Sequence, residues 1–488
     1  MKVAIIGTGF AGYGALIALA RDKRHEIHVF DVGLKDRYPE QADKAVANAK
    51  KYKGSFFPYG INDHRWSVQL DSQRICSSHA FGGHSTVYSG AVLYPKGGDL
   101  EEWPEGSRPL SNDYKAVLEH MQILHDGDEL SVEFPVVPED ADLSLLKKTR
   151  AEAVLGLSRI ALEQVTSGDG DAPHLFRTDV FFEKQLAAGR INYIGNCYVL
   201  KLDALPRGVR VHVENEDDRS ASHMDFDAVF IGAGCVNTTG IVDRSLFGEG
   251  SRKYELRNVG SAINAFIKFP GRKSKAHAAR WASSLPEFFL EVNSHLTRDT
   301  WMHTQITAIN EQIIDAIDSK IPFFGALMGK MLRKCFYFSL TTIHSRHSDR
   351  ISLRCTSSRR AADGKIDHSI FVQEMPAPQK PRGFRSAVQR GVRSNRTTLR
   401  MVAFPFGSVF ADFFRGNKLG GWHFGGTLPM ASQPEVGQCL ASGEVRGLKG
   451  AYAIDSAAFP EVPGSTVALL TAAHAHRVVR TWMEKNGN

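Results

Sequence analysis

Two groups of residues have the types and spacing to do chemistry. The first centres on His423, in the run WHFGGTLPM (422–430), where an imidazole stands between Trp422 and Phe424 and the chain can bend at Gly425 and Gly426. A neutral imidazole can take a proton near neutral pH. The same flanking rings suit a histidine buried in a core, so the stretch alone leaves both readings open. Metal ligation fits poorly, because no second His, Cys or carboxylate lies at ligand spacing nearby. The second group would act through its backbone: Gly7, Gly9 and Gly12 in GTGFAG, with Asp31 nineteen residues after Gly12.

The elements around that second group give it meaning. KVAII (2–6) is an unbroken apolar run, which predicts a buried parallel strand. The glycines follow at once, then YGALIALARD, which reads as an amphipathic helix, then EIHVFD (26–31), a second strand ending on Asp31. In this order Gly7 makes a tight turn, Gly9 lets the backbone approach a pyrophosphate, and Gly12 lets helix and strand pack closely. The helix N-terminus faces the phosphates, and the Asp31 carboxylate can accept hydrogen bonds from ribose hydroxyls. Strand, glycines, helix, strand and acid in sequence are far more specific than the glycines alone. They predict a dinucleotide site without choosing between FAD and NAD.

Composition narrows the remaining classes. At 488 residues and 42% hydrophobic, the chain exceeds a single compact core, and two domains are expected. The net charge of +7 lies partly in PQKPRGFRSAVQRGVRSNRTTLR (378–400), which reads as a solvated loop. No aromatic interleaving or recognition motif accompanies it, so a nucleic-acid partner is not expected. Six cysteines without a CxxC pair suggest reduced, buried thiols in a cytoplasmic protein. The first twenty residues lack the basic start of a signal peptide. IPFFGALMGKMLRKCFYFSLTTI (321–343) carries Lys330, Arg333 and Lys334 in its middle, so no membrane-spanning segment is expected. A domain surface or substrate wall is preferred there over a peripheral membrane contact. No internal repeat is visible.

Further stretches decide the nucleotide. FGGHSTVYSGAV (81–92) pairs glycines with small hydroxyl residues, and FDAVFIGAGCVNTTGIV (226–242) ends a strand in Gly232-Ala233-Gly234. LKGAYAIDSAAFPEVPGSTVALLTAAHAHRVV (448–479) returns to a strand, an aspartate, a Pro-Gly turn and a helix, so the two chain ends must fold back on each other. With SRHSDRISLR (345–354) and HFGGT, these pieces occur in the order seen in the glucose–methanol–choline family of FAD-dependent oxidoreductases, which the chain resembles over nearly its whole length. The likeness is poor over 101–189, apart from EEWP and SNDYKAVL, and hardly present over 266–335.

The resemblance implies an α/β fold: a discontinuous, Rossmann-like FAD-binding domain (1–100, 190–265 and 420–488) and an α+β substrate domain with an antiparallel sheet (101–189 and 266–419). FFLEVN, CFYFSLTTI, RISLRCT and SIFVQ read as the strands of that sheet. Segments 55–75, 101–135 and 305–335 are candidates for lids or pocket walls. Gly7, Gly9, Gly12 and Asp31 would hold the ADP half, with the Val199 backbone touching adenine. Gly82, Gly83, Ser85 and Thr86 would line flavin and pyrophosphate, Gly234 would approach the dinucleotide, and Asp455 would bond the phosphate–ribityl linkage. Val87 stands where relatives that tether the flavin often have histidine, which implies non-covalent FAD; His84, three positions earlier, is the one nearby nucleophile.

His423 would be the base that takes a hydroxyl proton as a CH–OH group of an alcohol, sugar-like or a natural-product intermediate, is oxidised to a carbonyl. Relatives usually carry a second His or Asn two residues after the Pro-Gly glycine; here that place holds Thr466, with Ser465 beside it. Threonine can share a hydrogen bond with substrate but cannot accept a proton at neutral pH. Tyr88 stands where asparagine is common, as a donor to flavin or substrate. His474 and His476 are expected to face core or solvent. The electron acceptor (dioxygen, quinone or protein) is left open. Thr466 also motivates one alternative, a lyase or isomerase of the same fold that binds FAD without net redox. A second alternative is a flavin-binding protein without catalysis, serving assembly or membrane attachment through 321–343.

Overall fold

A computed structural model describes residues 1–22, 24–33, 59–60, 67–70, 75, 77–93, 95–124, 147–148, 153–157, 159–163, 175–268, 286, 288–293, 300–309, 314, 318, 323–348, 350–359, 366–375, 388–390, 401–403 and 423–486. Cys76, Trp422, most of 55–75, residues 125–135 and all of the basic run except 388–390 lie outside the described residues.

Five strands form a parallel sheet in the order Asn192–Ile194, Glu26–Phe30, Lys2–Ile6, Ala228–Ile231, Ala451–Ala453. The apolar runs that predicted them are buried on both faces: Val3, Ala4, Ile5, Val229, Phe230 and Ile231 have no measurable exposure. The first strand sits at the centre, and strands from residues 228 and 451 join its edge, so the chain ends do converge.

The helix after the glycine turn, Phe10–Leu19, departs from expectation. Every residue from Ala11 to Leu19 is buried, so it is wrapped on all sides rather than amphipathic. The last helix, Val467–Asn486, covers its outer side. The two cross so closely that a Cβ added at Gly14 would lie 2.0 Å from the Ala472 carbonyl oxygen.

Two antiparallel arrays stand beside the parallel sheet. In the first, seven strands run Met401–Ala403, Gly260–Lys268, Phe336–Ile343, Trp301–Ala308, Phe288–Asn293, Ala153–Leu157, Lys147–Lys148, every neighbour antiparallel. In the second, five strands run Phe424–Gly425, Gly250–Asn258, Arg350–Arg359, Ile366–Met375, Ser67–Leu70, with only the last pair parallel. FFLEVN, RISLRCT, SIFVQ and all of CFYFSLTTI except Cys335 lie on strands as expected, but FFLEVN and CFYFSLTTI belong to the first array and RISLRCT and SIFVQ to the second, not to one sheet. The pairings cut across the expected boundary at residue 265, because Gly250–Asn258 and Gly260–Lys268 both join antiparallel sheets. A third, three-stranded sheet carries Val199 on Cys197–Ala204, where the register slips between Val199 and Lys201.

Candidate functional site

A cavity of about 460 Å³ opens at the C-terminal ends of the parallel strands, where open parallel sheets of this kind place their ligands. The three motif glycines do different things there. A Cβ at Gly7 would lie 2.4 Å from the Gly232 carbonyl oxygen, and one at Gly12 would lie 2.0 Å from that of Gly7. Both are demanded by packing, and Gly7 also adopts φ +100°. At Gly9 the added atom meets nothing within 4 Å, and Gly9 borders the cavity. No side chain caps the helix that begins after it, so its first N–H groups are left for an anion.

Asp31 also borders the cavity, but it is already engaged. Its carboxylate accepts from the Thr8 N–H at 2.7 Å, the Thr8 hydroxyl at 2.5 Å and the Gly33 N–H at 2.6 Å, while Thr8 Oγ1 accepts from the Gly82 N–H at 2.8 Å. Burial pushes this carboxyl up to about 6, against the pull of those donors. Asp455 is built alike: it accepts from Gly234 N–H (2.8 Å), the Thr238 hydroxyl (2.5 Å) and Ala457 N–H (2.9 Å), and burial raises it to about 6. Its partner Gly234, at φ +85°, has nothing within 4 Å of an added Cβ and borders the cavity. Bare glycine backbone at two places, an uncapped helix start and two buried acids along one wall fit an extended nucleotide.

The second glycine stretch is placed differently from expectation. Gly83 and His84 border the cavity; Gly82, Ser85 and Thr86 do not. The Ser85 hydroxyl donates to the Gly82 carbonyl (2.7 Å) and accepts from Thr178 N–H (3.0 Å), and Thr86 donates to the Gly83 carbonyl (2.9 Å). These small hydroxyls tie the turn to itself and to the helix Thr178–Ala187, which a sequence pattern cannot tell from ligand contacts. Val199 lies on the cavity wall, and Val87 is buried away from it.

At the far end the walls come from distant elements. His423, Thr466, Ser261, Gln305 and Thr342 all border the cavity. The backbone at His423 is fixed by its carbonyl, which accepts from Val259 N–H at 3.0 Å. Gln305 and Thr342 sit on the paired strands Trp301–Ala308 and Phe336–Ile343. They were missed from sequence: WMHTQITA and FYFSLTTI each carry several polar residues, and no local pattern marks which of them face a cavity.

Thr466 is brought to the cavity, yet its hydroxyl is committed elsewhere. Oγ1 accepts from Leu93 N–H (2.8 Å) and donates to the Leu93 carbonyl (3.1 Å), across 373 residues. One lone pair remains for a substrate, and no proton to give. Ser465 is buried and not on the cavity wall, with its hydroxyl unpartnered among the described residues. Tyr88 borders the cavity but donates its phenolic proton to the Phe176 carbonyl at 2.7 Å, and burial raises its pKa far above the usual range. A donor role for Tyr88 is thereby closed off in this arrangement.

The turn that launches the last helix is clamped by residues the sequence did not single out. Glu461 pairs with Arg257 (2.9 Å) and Arg350 (3.1 Å) and accepts from the Ser345 hydroxyl. Burial alone would raise its carboxyl, but the two guanidiniums and the hydroxyl outweigh that and hold it below its ordinary value. Thr342 donates to the Gly464 carbonyl at 2.5 Å, and a Cβ at Gly464 would lie 2.7 Å from the Trp301 carbonyl oxygen. His474 and His476 are core residues, the latter bonded through Nδ1 to Asp113 at 2.7 Å.

No protein-family profile matches the chain, and no curated protein matches it in sequence. Among solved structures it is similar to pyridoxine 4-oxidase from Mesorbium loti, at 12% identity, a TM-score of 0.57 and 99% coverage of both chains. The chain therefore shares the overall fold of that oxidase from end to end.

Proposed function

We propose that the chain binds FAD non-covalently in this cavity and oxidises a CH–OH group of a small alcohol to a carbonyl. The observation that carries the proposal is that His423 borders the same cavity as Gly9, Asp31 and Gly234. A base and a nucleotide cradle thus share one space, and the fold is that of an alcohol-oxidising enzyme. A bound FAD supplies the two-electron acceptance that no side chain here can provide.

The chain's own residues then have separable tasks. Gly7 and Gly12 shape the turn, Gly9 and Gly234 present backbone to the phosphates, and Asp31 and Asp455 hold the surrounding N–H groups in place. Val199 offers backbone to the adenine end. His423 takes the substrate hydroxyl proton on a ring nitrogen, alone, because the Thr466 hydroxyl is spent on Leu93. The last helix directs its N-terminal end, Thr466 to Thr471, at the cavity, a favourable placement for developing negative charge. Gln305 and Ser261 offer hydrogen bonds for a polyhydroxy or hydroxymethyl substrate, whereas Thr342, whose proton goes to the Gly464 carbonyl, can only accept one. The discontinuous domain division and a cytoplasmic location belong to the same reading.

The test is anaerobic mixing of FAD-loaded protein with pyridoxine and with simple polyols. Bleaching of the flavin band with aldehyde or ketone formed supports oxidation. Product without bleaching points to the lyase or isomerase alternative, and colourless protein that refuses added FAD ends the proposal. Denaturation should release the flavin; colour retained on the chain would instead assign a bond through His84, which stands on the cavity wall.

A further inference from the structure

The helix Phe324–Cys335, which the sequence reading assigned to a surface or substrate wall, does not touch the cavity. Its inner side is ordinary: Leu332 is buried with Ile309 and Ile314, and Met328, Phe336 and Phe338 pack against them. Its outer side is not. Phe323 and Leu327 are each 81% exposed and Met331 45%, and their four-residue spacing puts them on one line along the helix. Lys330, Arg333 and Lys334 are exposed beside that line, and the helix contains no acid. Phe323 caps the helix at φ +67°, a left-handed conformation costly for a bulky side chain, while its ring makes little packing return.

Isolated exposed apolar residues need no explanation, but a line of three flanked by three cations does. Three protruding side chains on a convex helix offer a few hundred Å² at most, below the roughly 800 Å² per partner of a stable protein interface. A second copy is further disfavoured, because a two-fold contact would set one cationic face against its twin. A phospholipid surface makes neither demand. Apolar side chains enter the boundary between headgroups and acyl chains, and lysines and arginines meet the phosphates.

We propose that this helix docks the protein on an anionic phospholipid surface, with Phe323, Leu327 and Met331 inserted and Lys330, Arg333 and Lys334 on the headgroups. The attachment is peripheral and salt-sensitive; no helix among the described residues is long and apolar enough to cross a membrane. The inference stands independently of the flavin reading.

Vesicle flotation of the full-length protein tests it, comparing phosphatidylcholine vesicles with mixed phosphatidylcholine–phosphatidylserine vesicles. Binding is expected to the mixed vesicles only, to fall at high salt, and to weaken about tenfold or more in the double variant Phe323→Ser, Leu327→Ser. The pair Lys330→Glu, Lys334→Glu should abolish it by a separate route; both pairs alter exposed positions, and unchanged melting curves confirm folding. No binding to mixed vesicles, equal binding to neutral ones, or full binding by both folded variants would overturn the proposal. So would a concentration-dependent dimer of the native chain that Leu327→Ser dissolves.

Discussion

The two ends of the cavity are built by opposite means. At the parallel-sheet end the wall is mostly backbone, set by glycines five residues apart in sequence and by acids that spend their oxygens on neighbouring N–H groups. At the other end the wall is side chain, delivered by Ser261, Gln305, Thr342, His423 and Thr466 from five separate stretches. In the first kind of site Gly7 and Gly12 tolerate little change, because they shape fold and site at once, whereas Gly9 and Gly234 have open space beside them. The second can lose function while keeping its fold.

Substitutions can break that contrast, beginning with the largest effect. Gly12→Ala places a methyl group 2.0 Å from a backbone oxygen, so soluble folded protein should be lost. Gly9→Ala has open space and should fold normally, with only FAD retention reduced; melting curves and flavin absorbance of the two variants separate fold from site. If Gly9→Ala proved as damaging to the fold as Gly12→Ala, the distinction between the two glycines would fail.

At the opposite end His423→Ala should keep FAD and stability but slow reduction by roughly a hundred- to ten-thousandfold, the range for a lost general base. Stopped-flow rates near native would remove His423 from the chemistry.

Glu461→Gln sharpens the comparison from beneath. Breaking this buried cluster should cost about 3 kcal/mol in denaturant unfolding, because Arg257 and Arg350 lose their buried counter-charge and keep only the half-exposed Glu255. The sign with pH follows from its lowered carboxyl: the folded state holds the proton less tightly, so the stabilisation is complete above the usual carboxylate range and is lost as pH falls below that range through the lower folded value. The variant should lack that part of the acid limb. An acid limb identical to native would dissociate Glu461 from the turn.

Thr466→Val should cost about 1–2 kcal/mol through the lost Leu93 bonds, with KM little changed. A raised KM with stability intact would instead return Thr466 to the substrate. Tyr88→Phe is the mildest, about 1 kcal/mol for one bond to Phe176, with turnover within a few-fold of native.

How much was legible from the chain follows the same division. Lys2–Ile6, the glycine turn, Glu26–Phe30, Ala228–Ile231, the Pro-Gly turn and the long final helix all announce themselves by local pattern, because each is decided by neighbours a few residues away. The amphipathic reading of Phe10–Leu19 failed, since the face it would have left to solvent is covered by elements distant in sequence, chiefly the last helix. Ser85, Thr86 and Tyr88 were read as ligand contacts because a hydroxyl beside a glycine looks the same whether it faces a cofactor or its own turn. Glu461 gave one faint sign, a carboxylate in an apolar run, and nothing about its two arginine partners.

The amino-acid order alone therefore determined the parallel-sheet half of the cavity, whose geometry is backbone geometry and so is written in glycine spacing and strand periodicity. Which side chains meet His423, which hydroxyls are already bonded, and which helix face is left to solvent were decided only by the tertiary structure. Those outcomes depend on contacts between residues hundreds of positions apart, and no local pattern carries that distance.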